Sequence, residues 1–521
     1  VKGFLLTLVF GMWLGAASAT PTMLNQGLAI EPPSLDPQVA GGTIVQPLIS
    51  DLFVGLVTRD AASNPVAGCA ERWEASDDGL TWTFHLRDGL QWSDGAPLTA
   101  RDFVYSFHRL LGGQAASPVA GMFFPIVNAR EALARRVPVE QIGVIAPDDR
   151  TVVMQLRQPV PYLAGLLANV PVFPVPRHAI EKHGTEWTRA GNLVSNGPYM
   201  VVERVPQAYI RTVKNPRFYD AAAVGIEEVR WHPTPDPATA LKRFRAGELD
   251  VIQTFPGEEL QWVKANLPGS LHMVPLLGTY FLALNTKQAP LDDARVRQAL
   301  SLAIDREALA EQVLRIGVKA AWSLITPQFE GYPAVTLPEQ SLPLAERQQR
   351  ARKLLAEGGF GSARPLALKY TYDSQEENRR VFVAVASMWQ AIGVATEAVT
   401  MEFGALLQKV RAGDFQVARS GGFASYGDPY GLLQQLSRGH PANGARYENP
   451  RFDELIDSAN GLADPAARMQ RLAEAERMML AEQPIIPLYY QVSRRLVSSR
   501  VQGWVDTPRG TPPSRYLSLA P

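Results

Sequence analysis

The residues of this chain that could do covalent or metal chemistry are few and poorly spaced for it. Its seven histidines stand at 85, 108, 178, 183, 232, 272 and 440. The nearest pair, His178 and His183, are five residues apart, so they do not stack on one helical face as a metal-binding pair does. The patterns H-E-x-x-H, C-x-x-C, G-x-S-x-G and G-x-x-x-x-G-K-S/T are all missing from the sequence. The carboxylate pairs Asp77-Asp78 and Asp292-Asp293 sit in turn and helix-start contexts, where solvated caps are the expected role. Cys69 is the single cysteine; its setting, PVAGCAERW, supplies no histidine neighbour, and a core position is expected. Enzymatic chemistry therefore has no supporting residue here, and no cofactor or metal is expected.

A chain without reactive groups must owe its function to shape, so the elements that build the shape come next. At 521 residues it exceeds the ~250–300 residues at which single cores stop growing, which predicts two or three lobes. Apolar residues make up 46% and charged residues 20%, an ordinary globular composition. The 51 basic and 51 acidic residues cancel, which leaves no electrostatic footprint for nucleic acid or an anionic membrane. The first residues, VKGFLLTLVFGMWLGAASAT, place one charge at Lys2 before an apolar run from Phe4 to Leu14 and end in Ala17-Ser18-Ala19. That order is the mark of a cleavable secretory leader, expected to span residues 1–19. No cysteine follows it to carry a lipid, so an unanchored periplasmic protein is expected.

Strand and helix signals alternate along the rest. Trp82, Phe84 and Leu86 alternate with polar residues as in a half-buried strand, and Leu90 and Trp92 extend the alternation beyond the Asp88-Gly89 turn. Thr99 and Asp102 form a capping box ahead of Phe103 and Phe107. Asp292 or Asp293 can cap a helix carrying Val296, Leu300 and Ala303 on one face. A second helix is predicted over residues 344–357 and stops at Gly358-Gly359. A third starts at Asp464-Pro465 and aligns Met469, Leu472, Ala475 and Met479. No repeat of 20–50 residues occurs, which excludes a solenoid or propeller and leaves an α/β or α+β protein.

Several ordered segments carry a family resemblance. They are EPPSLDP (Glu31 to Pro37), DLFVGL (Asp51 to Leu56), the dense stretch from Glu71 to Phe107, SNGPY (Ser195 to Tyr199), KNPRFYD (Lys214 to Asp220), FRAGELD (Phe244 to Asp250) and the stretch from Leu284 to Arg306. Together they resemble the periplasmic oligopeptide-binding protein family of ABC importer receptors. The resemblance implies an α/β, two-lobed periplasmic-binding-protein fold with a hinge and an additional small third domain. It places lobe I at 20–53, 171–275 and 490–521, the small domain at 54–170 and lobe III at 276–489. It also implies a monomer that closes on a small peptide-like ligand and hands it to a membrane permease and ATPase complex.

In peptide-binding relatives the region resembling Phe415 to Leu433 lines the cleft, and an arginine at the position of Arg419 sits in the pocket. Where those relatives carry an aspartate for the peptide ammonium, this chain has Ser425, and a neutral hydroxyl is a poor partner for a buried cation. Gly422 replaces a frequent tryptophan and is expected to open space. Asp428 either holds its own loop or substitutes for the missing anchor. Asn378 stands where some relatives present histidine to the ligand carboxylate, with Arg379, Arg380 and Arg411 nearby to supply charge. These departures point to an N-blocked, unusual or cell-wall-derived peptide. The alternatives are a metal chelate, an oligosaccharide stacked on Phe423, Tyr426 and Tyr430, or a sensory role.

Overall fold

A computed structural model describes residues 23–40, 45–117, 119–462 and 464–520. The expected leader lies outside these residues. Apolar β-branched and aromatic runs flanked by turns produce one eleven-stranded sheet that passes through the whole molecule. At its centre two long antiparallel strands, Leu271–Leu284 and Ile485–Val497, lie side by side. On one flank come Val251–Ile252, Met23–Leu28, Glu228–Pro233, Tyr209–Lys214 and Tyr199–Val205. On the other come Val417–Phe423, Leu366–Asp373 and Val394–Met401, and the short strand Lys319–Ala320, pairing with Ile485–Val497 off this path, is the eleventh. Each flank is covered by its own helices, so the chain forms two α/β lobes joined through the central strand pair.

The ladder between the two central strands is not continuous. Pro275 pairs with Val492 and Thr279 with Tyr490, so Leu276, Leu277 and Gly278 oppose Gln491 alone. Three residues against one must leave the sheet plane, and the interruption gives the strand pair a flexible joint. A separate four-stranded antiparallel sheet, in the order Ala70–Ala75, Thr81–Leu86, Thr151–Gln155 and Val144–Asp148, makes a third, smaller unit.

Local sequence signals explain most of these elements. Phe84 and Leu86 are buried on the inner face of Thr81–Leu86, with Trp82 half-buried beside them. The alternation resumes as expected, with Leu90 and Trp92 buried on either side of exposed Gln91, but no regular strand forms there. Gln91 makes only an isolated bridge to Pro97, because the chain turns back at Asp94-Gly95. The helix Ala100–Leu111 starts on the expected capping box, in which the Thr99 backbone N–H donates to Asp102 Oδ2 at 2.8 Å. Asp293, rather than Asp292, caps Ala294–Leu302, and Asp464 caps Pro465–Glu482. Cys69 is buried; its Sγ donates to the Val54 carbonyl, and burial pushes the thiol up to about 12, which keeps it protonated and unreactive. No helix among the described residues is long and apolar enough to cross a membrane.

Candidate functional site

The two lobes and the small unit meet over the interrupted joint and enclose a cavity of about 270 Å³ there. A second cavity of about 170 Å³ adjoins it, sharing Gln46, Arg59, Ala424 and Arg509 as walls. Leu276 and Leu277 reach the first cavity because the ladder breaks at that point, and Val492, Ser493, Arg494 and Arg495 face it from the partner strand. One helix, Gln46–Leu52, contributes Gln46, Pro47 and Ser50. Phe423 and Ala424 close it from the opposite lobe, where Ala424 donates its N–H to the Leu277 carbonyl at 2.8 Å. The volume lies near the lower end of the ~300–1,000 Å³ typical of small-molecule sites.

Contacts across the cavity hold the lobes together. Arg59 Nη2 donates to the Ser425 carbonyl at 2.7 Å and to Asn169 Oδ1 at 2.8 Å. Tyr162 of the small unit stacks on Tyr426 and Tyr430 with ring centroids 4.8 and 5.2 Å apart. The Arg468 guanidinium sits 5.4 Å from the Tyr162 ring, adding a cation–π contact.

The residues predicted to bind ligand are dispersed. Phe423 lines the main cavity, and Ser425 lines the adjoining one. Arg419 does not line either cavity. Its Nε is 3.1 Å from Asp373 Oδ2 without hydrogen-bond alignment, and its guanidinium lies 5.3 Å from the Phe403 ring and 5.5 Å from that of Tyr280. Asn378 is buried in the same cluster, where it accepts from the Tyr280 hydroxyl at 2.9 Å and donates to Asp373 at 2.8 Å. Gly422 does not open space: a Cβ there would meet Leu432 Cδ2 at 2.9 Å, so the position faces packed side chains. Asp428 receives Arg468 bidentately at 2.7 and 2.9 Å and the Tyr430 N–H at 2.9 Å, so it holds its own loop. Tyr426 and Tyr430 are spent in the stack with Tyr162. Of the nearby arginines, Arg379 pairs with Glu376 on an exposed helix face.

Four arginines that sequence reasoning missed line the cavity instead: Arg59, Arg494, Arg495 and Arg509. Among the described residues no aspartate or glutamate lines either cavity. Arg494 pairs with Glu377 at 2.8 Å yet leaves its buried Nη1 without a partner. Arg495 donates Nη1 to the Gly510 carbonyl at 3.0 Å, and its buried Nε has no partner. Arg509 donates to the Ser63 carbonyl at 3.1 Å. Burial and the charge of Arg509 push Arg59 down to about 10, and burial pushes Arg495 down to about 10, so both are still charged at neutral pH. Nothing in the short contexts VTRD, SRRL or TPRG marks these residues, because stretches far apart in sequence bring them together only in the folded chain. The described residues hold no cluster of three or more His, Cys, Asp or Glu side chains suited to a metal.

A hinged pair of α/β lobes around a cavity at their junction is the architecture of a solute receptor. The model of the bacterial extracellular solute-binding proteins, family 5 Middle, matches residues 64–444, and the chain belongs to this family. It is 34% identical over 509 residues to the periplasmic murein peptide-binding protein MppA of Escherichia coli, covering 97% of this chain and 94% of that one. It is 36% identical to the periplasmic oligopeptide-binding protein OppA of Salmonella typhimurium, covering 92% and 89% of the two chains. It is also 35% identical to the E. coli protein YgiS, named as a probable deoxycholate-binding periplasmic protein, covering 91% and 89%. A structure of E. coli MppA superposes with a TM-score of 0.89, covering 96% of this chain and 99% of that one. The unliganded open form of MppA, with 96% and 98% covered, reaches only 0.78 at the same 34% identity. The lobes here are therefore arranged unlike that open form, as the contacts across the cavity require.

Proposed function

We propose that this chain is the capture component of a bacterial ABC importer, and that it traps a peptide-like solute by closing two lobes over the hinge. The observation that carries the reading is the cavity at the ladder break, walled by both lobes, the hinge strands and the small unit together. A ligand held there is shielded from water and leaves only when the lobes part, which suits delivery to a permease. The murein peptide and oligopeptide receptors among its relatives support a peptide-like ligand. We assign lobe I to 20–53, 171–275 and 490–521, the small domain to 54–170 and lobe III to 276–489, with the boundary at 275/276 drawn at the interrupted ladder. A periplasmic monomer freed from its leader completes the reading, in line with the periplasmic relatives.

Within this site Phe423 and the Ser425 main chain are the predicted residues that meet the ligand, joined by the four cavity arginines. Arg419 and Asn378 act behind the wall by fixing Tyr280 and the Asp373 turn. Native mass spectrometry of protein purified without refolding tests the function: a co-purified peptide is expected, and a sugar or metal chelate in its place overturns the reading. A second reading has a specific observation behind it. Phe173, Leu276, Leu277 and Phe423 give the cavity an apolar side opposite cations. An amphipathic carboxylate fits that pattern, and one relative is named for deoxycholate. The same experiment separates the two by ligand mass.

A further inference from the structure

The receptor reading leaves open what chemistry the cavity selects, and its charges are unusually one-sided. Arg59, Arg494, Arg495 and Arg509 line it, and no carboxylate does. Three carboxylates stand outside the wall. Glu377 pairs with Arg494 at 2.8 Å. Asp60 is engaged by the Asn64 N–H at 2.8 Å, and Asp506 by His272 at 3.1 Å and the Trp504 indole N–H at 3.0 Å. No carboxylate lies within 4.0 Å of a nitrogen of Arg59, Arg495 or Arg509 among the described residues, and these three guanidinium groups donate to neutral oxygens.

Such an arrangement costs stability. Like charges in a partly dry cleft repel, and Arg59, Arg495 and Arg509 have given up water for neutral acceptors. Arg509 is also pressed against the chain, because a Cβ on Gly427 would collide with its guanidinium. The fork is thus held in place from both lobes before any ligand arrives. Guanidinium forks match carboxylates bidentately, and buried donors without partners, Arg494 Nη1 and Arg495 Nε, lie in the same wall. The opposite charge has no counterpart: with Ser425 in the adjoining wall and Asp428 consumed by Arg468, nothing receives a ligand ammonium.

We propose that the cavity is built for a ligand carrying two or more carboxylates, held by Arg59 and Arg509 together with Arg494 and Arg495 at the hinge, and that a free amino group contributes nothing to its capture. This deepens the receptor reading and rests on it. It also favours the closed state, since a ligand held by the cluster meets Phe423 and Ala424 of the opposite lobe only when the lobes are together.

Isothermal titration with a charge-matched series is the test. N-acetyl-Ala-Glu-Glu should bind about tenfold or more tightly than N-acetyl-Ala-Gln-Gln, with a margin that narrows as salt rises. Arg59→Gln and Arg509→Gln should each remove most of that margin, read as the ratio of the two affinities within the same variant, and Arg59→Lys should keep part of it. The peptide comparison on the unaltered protein needs no variant to fold. Equal or better binding of the neutral peptide, or of Ala-Ala-Ala through its free amine, overturns the proposal and leaves the peptide reading standing. Binding of citrate with rejection of every peptide upholds the polycarboxylate site and overturns the peptide reading. Binding of deoxycholate alone, or of none of these probes, overturns both.

Discussion

Buried charge decides the behaviour of single residues here. The Asp428–Arg468 pair is bidentate and buried beneath the Tyr162 stack, so removing one partner leaves a buried charge alone. Asp428→Ala should cost about 3–5 kcal/mol in denaturant unfolding; a loss below about 1 kcal/mol would mean the pair is solvated. Two carboxyls behave differently because they lack a cation. Glu476 accepts from the Leu324 and Ile325 N–H groups at 2.8 and 2.9 Å and from the Tyr332 hydroxyl, and burial raises it to about 7. Burial raises Asp51 to about 7 as well. A folded value above the unfolded one means the native state holds extra protons. The stability each contributes is complete below its ordinary value and is lost as pH rises through about 7. Glu476→Gln should accordingly flatten the fall in stability between about pH 4.5 and 7, a difference that unfolding curves at several pH values would read.

Close approach of backbone governs the elements. In the turn Ser195 to Tyr199, Asn196 accepts from the Val54 N–H at 3.1 Å and donates to the Val54 carbonyl at 2.8 Å, locking the turn to the helix end. The contact brings Gly197 so near that a Cβ would sit 2.5 Å from the Leu52 carbonyl carbon. Gly197→Ala should therefore destabilise the protein by about 1–3 kcal/mol through overpacking, measured by thermal or denaturant unfolding; a neutral result would show that the helix Gln46–Leu52 can move aside. Because that helix also supplies Gln46, Pro47 and Ser50 to the cavity, the same variant should weaken ligand binding as well.

At the scale of the whole molecule, closure depends on contacts formed by parts far apart in sequence. Tyr162 stacks on the opposite lobe, and Arg59 reaches the Ser425 carbonyl across the same gap. Tyr162→Ala removes the stack without touching either cavity, so it should shift the population toward the open arrangement. A larger radius of gyration in solution scattering without ligand is expected, together with weaker binding that comes from the closure step. An unchanged radius with unchanged affinity would assign the tyrosines to packing alone.

Local grammar and ordered segments determined much of this protein. The capping box at Thr99 and Asp102, the helix started by Asp464 and the alternation of Phe84 and Leu86 were legible because propensity, capping and periodicity act within a few residues. The family and its two-lobed fold were legible because so many short segments occur in one order. The site was not. Arg419 was expected in the pocket and is turned toward Asp373; Gly422 was expected to open space and faces Leu432. Arg59 and Arg509 carried no local signal and meet only in the folded chain. Which side of a strand faces the cleft depends on the ladder break at Leu276 to Gly278, and which charges go unpaired depends on residues hundreds of positions apart. Only the tertiary structure brings those distances to a few ångströms, and electrostatics in a half-dry cavity then sets what the protein can hold.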